Sequence, residues 1–205
     1  MKAAHLVPLC AAVAFMAACG ARENPTAPAD APAPASTPSP AVAPPPADAA
    51  QPGETAPASG ASAQLTPTQG NTASGTLALT ATGDGVRLVG SLQGLPPNGE
   101  FGFHIHEKGD CSAPDASSAG AHFNPANAPH GDPQGSSHHA GDVPNAKSDA
   151  AGTAQVDAVA SGVNLMSGDP GDVHGKAIVV HAKPDDYKTQ PSGNSGARIA
   201  CGVIH

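Results

Sequence analysis

Short alternating runs, each ended by a turn signal, are the feature that most constrains the fold of this chain. "TLALTAT" (76–82) and "GVRLVGSL" (85–92) alternate larger apolar residues with small or polar ones. The Gly-Asp-Gly between them is a hairpin signal. Further strands are predicted at 101–106, 153–160, 176–181 and 197–204. Roughly seven short strands joined by turns predict an all-β domain, a Greek-key β-sandwich or barrel with long loops.

The chain before these strands has a different composition. Residues 20–63 are rich in Ala and Pro and hold few large apolar residues, so they cannot bury enough surface to offset their chain entropy. We therefore predict a disordered tether over 20–63 and place the β domain at 64–205. The net charge of −8 argues against a nucleic-acid partner, because binding phosphates requires clustered Lys and Arg.

Residues 1–19 are typical of an export signal. Lys2 gives a basic start, and the apolar run that follows is too short to span a bilayer comfortably. The run ends Met16-Ala17-Ala18-Cys19, which resembles the cleavage box of bacterial lipoproteins, with Met where Leu is usual. An ordinary signal peptide with an incidental Cys is the alternative. The resemblance implies a lipid anchor at Cys19, and Gly20, rather than Asp, favours the periplasmic side of the outer membrane.

Two cysteines remain in the β domain. Cys111 and Cys201 are far apart in sequence, and an even pair in an exported domain predicts a disulfide. Two free buried thiols are the alternative. The chain contains no CxxC motif, which excludes thiolate-bound zinc and iron–sulfur clusters.

The histidines are the residues that indicate a metal site. His104 and His106 are two apart in an alternating run, so they share one face of a strand and can converge on one ion. Two solvent-facing histidines are the alternative for this pair alone. The stretch 107–149 is long, poor in strands and rich in His, and a loop of that length in a compact domain is usually functional or disordered.

More candidate ligands follow the pair. Imidazole suits both copper and zinc, and an added carboxylate fits a tetrahedral zinc site. The candidates are His122, His130, His138, His139, Asp142 and, at the end of a strand, His181.

Five segments in order resemble the copper/zinc superoxide dismutase family. They are "GFHIHEKGDC" (102–111), "AGAHFNP" (119–125), "HGDPQGSSHHAGD" (130–142), "IVVHAKPDD" (178–186) and "ARIACGV" (197–203). The resemblance covers roughly residues 70–205. It implies an enzyme that converts superoxide to dioxygen and hydrogen peroxide by Cu(II)/Cu(I) cycling, with copper and zinc ions as cofactors.

The resemblance also implies the ligand sets. The copper ligands are His104, His106, His122 and His181. The zinc ligands are His122, His130, His139 and Asp142. His122 is then the shared, bridging histidine, and the spacing to Asp142 favours His139 over His138. Asp185 aligns with a carboxylate that links His104 to His130, with a solvated turn residue as its alternative.

Arg198 aligns with the arginine of the active site, where a guanidinium would hold the superoxide anion. A surface ion pair is the alternative. Cys111 and Cys201 align with the disulfide within the subunit. The segment between Asp186 and Arg198 is shorter than in the animal enzymes. It lacks a clear set of the charged residues that guide superoxide in those enzymes, and Lys188 is the candidate to replace them.

Three other functions and two assembly states stay open on the sequence. A metal-carrying lipoprotein needs the ligands but not Arg198 or Asp185. A module kept for protein interaction would tolerate the loss of ligands. A zinc hydrolase needs a general base, for which Glu107 is the nearest acidic residue. A monomer and a homodimer are both compatible with the chain, and His174 and His205 are interpreted as surface residues.

Overall fold

The computed structural model describes residues 60–205 of the chain. They contain nine strands and one turn of 3-10 helix. The strands are β1 Gly60–Pro67, β2 Ser74–Thr82, β3 Gly85–Gln93, β4 Glu100–Phe101, β5 Phe103–His106, β6 Ala146–Lys147, β7 Ala154–Ser161, β8 Ala177–His181 and β9 Arg198–Val203; the turn is Ser117–Ala119. The predicted all-β class is confirmed. Within these residues no helix is long and apolar enough to cross a membrane.

Every strand predicted from the alternating runs is present, and two more were missed. The run 101–106 is split at Gly102 into β4 and β5. β6 has two residues, and the buried residues of β1 are small at Ala61 and Ala63, so neither gave a strong apolar signal. β1 begins four residues before the predicted domain start at 64. The predicted signal at 1–19, the predicted anchor at Cys19 and residues 20–59 of the predicted tether lie outside the described residues.

The main sheet is antiparallel and curls into a half-barrel, in the order β5-β8-β9-β1-β2-β3-β7. β1 joins its two halves, because residues 60–65 pair with β2 while Thr66 and Pro67 pair with β9. β4 and β6 form a separate two-stranded sheet. β5 lies at one end of this order, whereas β3 and β7, the strands of the main sheet that precede and follow it in sequence, lie at the other end. The connections into and out of β5 therefore pass between the two ends of the sheet, which brings the long loop after β5 close to this strand.

The two faces of β5 have different functions. Phe103 and Ile105 point into the apolar core, which also contains Leu77 and Leu88 of the central strands. The alternation of a strand places the side chains of His104 and His106 on the opposite face. All four residues of β5 are buried, so this second face is covered as well.

The long loop after β5 provides that cover and also pairs with the open edge of the strand. Ile105 N–H donates to the carbonyl of Gly141 (2.9 Å), and Phe123 N–H donates to the carbonyl of Ile105 (2.8 Å). A side chain at Gly141 would collide with that carbonyl of Ile105. An edge strand that is paired in this way is protected from other strands, and the loop is fixed against it.

A disulfide joins Cys111, near the start of this loop, to Cys201 in β9, across a sequence separation of 90 residues. The predicted bridge is confirmed. Cys201 packs in a small apolar cluster with Ala116, Ala119 and Val179. The bridge therefore fixes the loop to the sheet next to the histidine face of β5.

We expect Cys111→Ser combined with Cys201→Ser to lower the free energy of unfolding by about 4–5 kcal/mol, because a bridge of this span removes much entropy from the unfolded chain. Urea denaturation of the metal-free forms measures the difference. An unchanged denaturation midpoint, with the bridge shown intact in the wild type by non-reducing peptide mapping, would contradict this expectation.

Candidate metal centre

Three elements bring four histidines together beside β5. His104 and His106 come from β5 itself, and His181 ends the neighbouring strand β8, where the pairing with β9 shifts. His122 comes from the loop and forms a backbone bridge with His106. The ring centroid of His104 lies 4.0 Å from that of His122 and 4.9 Å from that of His181. We call His104, His106, His122 and His181 the first group.

The loop alone supplies a second group, which consists of His122, His130, His139 and Asp142. Asp142 Oδ1 lies 2.8 Å from His122 Nδ1, and its Oδ2 lies 3.0 Å from His130 Nδ1. The Nδ1 atoms of His122 and His139 are 3.4 Å apart. The Asp142 carboxylate also accepts the backbone N–H of His139 at 2.8 Å. All four side chains are buried.

Both groups have the dimensions of a metal site. In each, one ligand atom from every residue lies within 4.8 Å of the others, and His122 belongs to both groups. Zinc–nitrogen bonds of 2.0–2.1 Å in a tetrahedron place ligand atoms about 3.3 Å apart. The distances of 2.8–3.5 Å around Asp142 are close to that value.

Unpaired ring nitrogens support the same conclusion. Buried polar atoms in proteins are almost always hydrogen-bonded, because an unpaired one costs free energy. Here four buried nitrogens have neither a hydrogen bond nor an ion-pair contact among residues 60–205: His104 Nδ1, His106 Nε2, His122 Nε2 and His181 Nε2. Four such atoms in the first group fit metal ligands better than they fit a folded core without metal.

Burial keeps most of these imidazoles neutral. It is the main reason that the pKa of His106 is lowered to about 2, that of His181 to about 3 and that of His122 to about 4. A neutral imidazole keeps a lone pair for a metal ion. These residues are therefore ready to bind metal at neutral pH.

His130 differs because it lies between two carboxylates. Burial lowers its pKa, but hydrogen bonds to Asp142 and Asp185 outweigh that effect and raise the pKa to about 9. Contacts with histidines overcome burial and hold the pKa of both carboxyl groups well below the usual range, those of Asp142 with His122 and His130 and those of Asp185 with His104 and His130. Metal binding at His130 therefore has to displace a proton at neutral pH.

Asp185 connects the two groups directly. Its Oδ2 lies 2.7 Å from His104 Nε2, and its Oδ1 lies 2.9 Å from His130 Nε2. The carboxylate is buried, which excludes the alternative of a solvated turn residue. It fixes the orientation of one imidazole in each group, as hydrogen bonds to metal ligands generally do.

Sequence reasoning missed the residues that hold Asp185 in place. Asn145 donates from Nδ2 to the carbonyl of Asp185 and accepts the Asp185 N–H at Oδ1, both at 2.9 Å. Tyr187 Oη accepts the N–H of Asn145 at 2.7 Å. Asn145 follows Asp142 by three residues, and that proximity is the one signal the sequence offered.

Arg198, at the start of β9, faces an open pocket of about 750 Å³. His106, His122 and His181 also line this pocket. The guanidinium donates from Nη1 to the carbonyl of Ala116 (2.7 Å) and from Nη2 to that of Gly120 (2.6 Å). It forms no ion pair among residues 60–205, so the alternative of a surface ion pair is excluded.

The other charged candidates have different positions. Glu107 lines the pocket, and its Oε1 accepts the N–H of Ala121 at 3.2 Å. Lys188 is exposed and does not line the pocket, in which Arg198 is the one cationic side chain among the described residues. His138, whose Nδ1 contacts the carbonyl of His139 at 2.7 Å, lies outside both groups. His174 and His205 are exposed, as expected.

Comparisons with known proteins agree with this geometry. The family model for copper/zinc superoxide dismutase matches residues 73–204. "Superoxide dismutase [Cu-Zn] 2" of Aquifex aeolicus is 44% identical over 149 residues, which cover 70% of this chain and 85% of that protein. "Superoxide dismutase [Cu-Zn]" of Caulobacter vibrioides is 45% identical over 135 residues, which cover 63% and 77%. The crystal structure of a SOD-like protein from Bacillus subtilis has a TM-score of 0.64 at 39% identity and covers 70% of this chain and 97% of that one.

We expect His122→Ala to reduce metal binding in both groups, because His122 is the one residue they share. His106→Ala should affect the first group alone, and His139→Ala the second alone. Elemental analysis after loading with copper and zinc measures each ion per chain. Loss of a single metal in His122→Ala would show that the histidine is not shared.

Proposed function

The chain belongs to the copper/zinc superoxide dismutase family, and we propose that its first group holds copper, its second group holds zinc, and Arg198 holds the substrate anion. The enzyme is an oxidoreductase with copper and zinc as cofactors. The reaction is 2 O₂⁻ + 2 H⁺ → O₂ + H₂O₂. The observation that carries the proposal is the convergence of two ligand groups, with one shared imidazole, on a pocket that contains a cation.

Copper, when bound, supplies the redox step by alternating between Cu(II) and Cu(I), while one superoxide is oxidised and the next is reduced. The protein supplies positions, charge and protons. His122 is proposed as the bridging histidine, since Nδ1 contacts Asp142 while Nε2 is unpaired. Nε2 can hold a proton between the two half-reactions and donate it to the peroxide product.

Arg198 is proposed to bind superoxide. Its carbonyl contacts hold the guanidinium rigidly at the pocket, so the remaining donors can face an anion. Burial lowers the pKa of Arg198, yet arginine stays cationic at any physiological pH. A carrier of metal ions would have no use for a cation fixed at this position.

The alternatives fit less well. The SOD-like protein from Bacillus subtilis shares the fold, so the fold alone does not establish the activity. A complete ligand set argues against a module kept only for protein interaction. A zinc hydrolase needs an open coordination position at zinc and a general base, but four buried residues surround the proposed zinc position. Glu107, the nearest candidate for the base, contacts a backbone amide instead.

We expect Arg198→Ala to keep both metals and to lower the rate of dismutation at low salt by about tenfold or more, because a local attraction for the anion is removed. The rate of the variant should also depend less on ionic strength, since salt screens that attraction. Arg198→Lys should lose less activity, because it keeps the charge but not the planar fork.

Arg87→Ala is the matched control, because Arg87 is an exposed arginine that pairs with Asp157 away from the pocket. Pulse radiolysis over a range of salt concentrations measures these rates. Wild-type turnover by Arg198→Ala with normal copper content would show that Arg198 does not guide the anion. No dismutation by the wild type loaded with both metals would refute the proposed reaction.

We further propose that the enzyme works in a bacterial cell envelope, anchored at Cys19 on the periplasmic side. The supporting observations are the short apolar signal and the small residues before Cys19. If extended, residues 20–59 would span up to roughly 120 Å, which gives the domain reach from the membrane.

We expect Cys19→Ser to abolish incorporation of a radiolabelled fatty acid and to release the protein from the membrane fraction, because stable anchoring depends on attached acyl chains. Expression in a bacterial host followed by membrane fractionation tests this. Cys10→Ser is the control, since Cys10 would be removed with the signal. Equal labelling of the Cys19→Ser form would contradict the lipid anchor.

A further inference from the structure

Gln190 makes an unusual contact with the loop that carries the second group. Its Oε1 accepts the backbone N–H of His130 at 2.9 Å, and its Nε2 donates to the carbonyl of His130 at 2.8 Å. The same Nε2 lies 3.4 Å from the carbonyl of Lys188. One side chain thus satisfies both backbone polar groups of His130, as a neighbouring strand would. His130 belongs to no helix or strand, so its backbone has no hydrogen bonds of regular secondary structure.

The turn that carries Gln190 is itself well fixed. Asp186 Oδ1 accepts the backbone N–H of Lys188 at 2.9 Å and that of Thr189 at 2.8 Å. Asp186 N–H donates to the carbonyl of Gly193, and Gly193 N–H donates to that of Thr189. Since Asp186 adjoins Asp185, this turn sets the position of Gln190 relative to the carboxylate that bonds His130.

The same turn also touches the ring of His130. Gly193 has a φ of +63°, and a Cβ there would collide with the Asp185 carboxylate and approach His130 Nε2 to 2.7 Å. His130 is therefore fixed by its backbone at Gln190 and by its ring at Asp185. These contacts direct the other ring nitrogen, Nδ1, towards the second group, where it lies 3.0 Å from Asp142 Oδ2.

We propose that Gln190 is a positioning residue for the zinc site and acts through the backbone of His130. The inference rests on the proposed assignment of His130 to zinc. It concerns the segment between Asp186 and Arg198, for which the sequence indicated no function beyond steering by Lys188. In this chain that segment supports a metal ligand.

The test is the zinc affinity of the full chain, measured by competition with a chelator. We expect Gln190→Ala to weaken zinc binding by about 10–100-fold, as is usual when a contact supporting a ligand is lost. Gln190→Glu should be intermediate, because it keeps the acceptor for the His130 N–H but loses the donor. Copper binding at the first group should stay at the wild-type level in both variants.

Co²⁺ bound in place of zinc gives a second readout, because its visible absorption reports ligand geometry. Gln190→Ala should change this spectrum, whereas Gln134→Ala should not. Gln134 is an exposed glutamine of the same loop whose side chain makes no hydrogen bond, so it is a matched control. In a His130→Ala background, Gln190→Ala should have no further effect on zinc affinity.

Two results would overturn the inference, and they are distinguishable. If Gln190→Ala binds zinc and Co²⁺ as Gln134→Ala does, Gln190 is an ordinary surface residue while the proposed function stands. If the wild type binds zinc no better than His130→Ala does, the assignment of His130 fails, and the proposed zinc site and the role of Gln190 fail together.

Discussion

Burial of the histidine face of β5 is the constraint on which the rest of this structure depends. An edge strand with two imidazoles on one face cannot remain open to water and also hold a metal ion rigidly. The loop after β5 resolves this conflict by pairing with the strand edge through Gly141 and Phe123 and by adding its own ligands. The disulfide and Asp185 then fix the loop from its two sides. Each contact serves the same requirement, which is a buried cluster of polar groups whose ring nitrogens converge within each group.

The sequence predicted the strands and the ligands for different physical reasons. Strands such as β2 and β3 alternate large apolar residues with small or polar ones, so the sequence pattern itself indicates one buried face. β1 was missed, and the domain start was placed too late, because the first buried residues of this strand are alanines, which have little apolar surface. The candidate ligands were found because histidine is rare enough for its spacing to be informative, and the motifs assigned them to groups.

The supporting residues were not predictable in that way. Asn145 and Gln190 act on the backbones of Asp185 and His130, and a contact with backbone leaves no pattern in the sequence of the partner. Gly193 is required because a Cβ would meet the Asp185 carboxylate, a constraint that exists only after folding. Lys188, which the sequence offered as a steering charge, does not line the pocket for a similar reason, since the direction of a turn decides what its side chains face. Residues 60–205 contain seven Lys and Arg against thirteen Asp and Glu, so the anion that Arg198 is proposed to bind approaches against the overall field.

The two groups differ in how much of their geometry exists before metal binds. In the first group, His104, His106 and His181 belong to paired strands, so the sheet positions three of the four ligands. The second group consists of loop residues, and the electrostatic attraction between Asp142 and the His130 imidazole, whose pKa is raised, holds part of it together. A metal at the second group replaces that proton and stabilises the part of the loop around His130 and His139, two ligands that pair with no strand of residues 60–205, so its binding energy contributes to folding. At the first group, the sheet has already positioned most of the ligands, so the binding energy of a metal there is not used to order the protein. This division follows from which ligands the strands carry, and it is the reason a backbone contact such as that of Gln190 matters more in the second group than in the first.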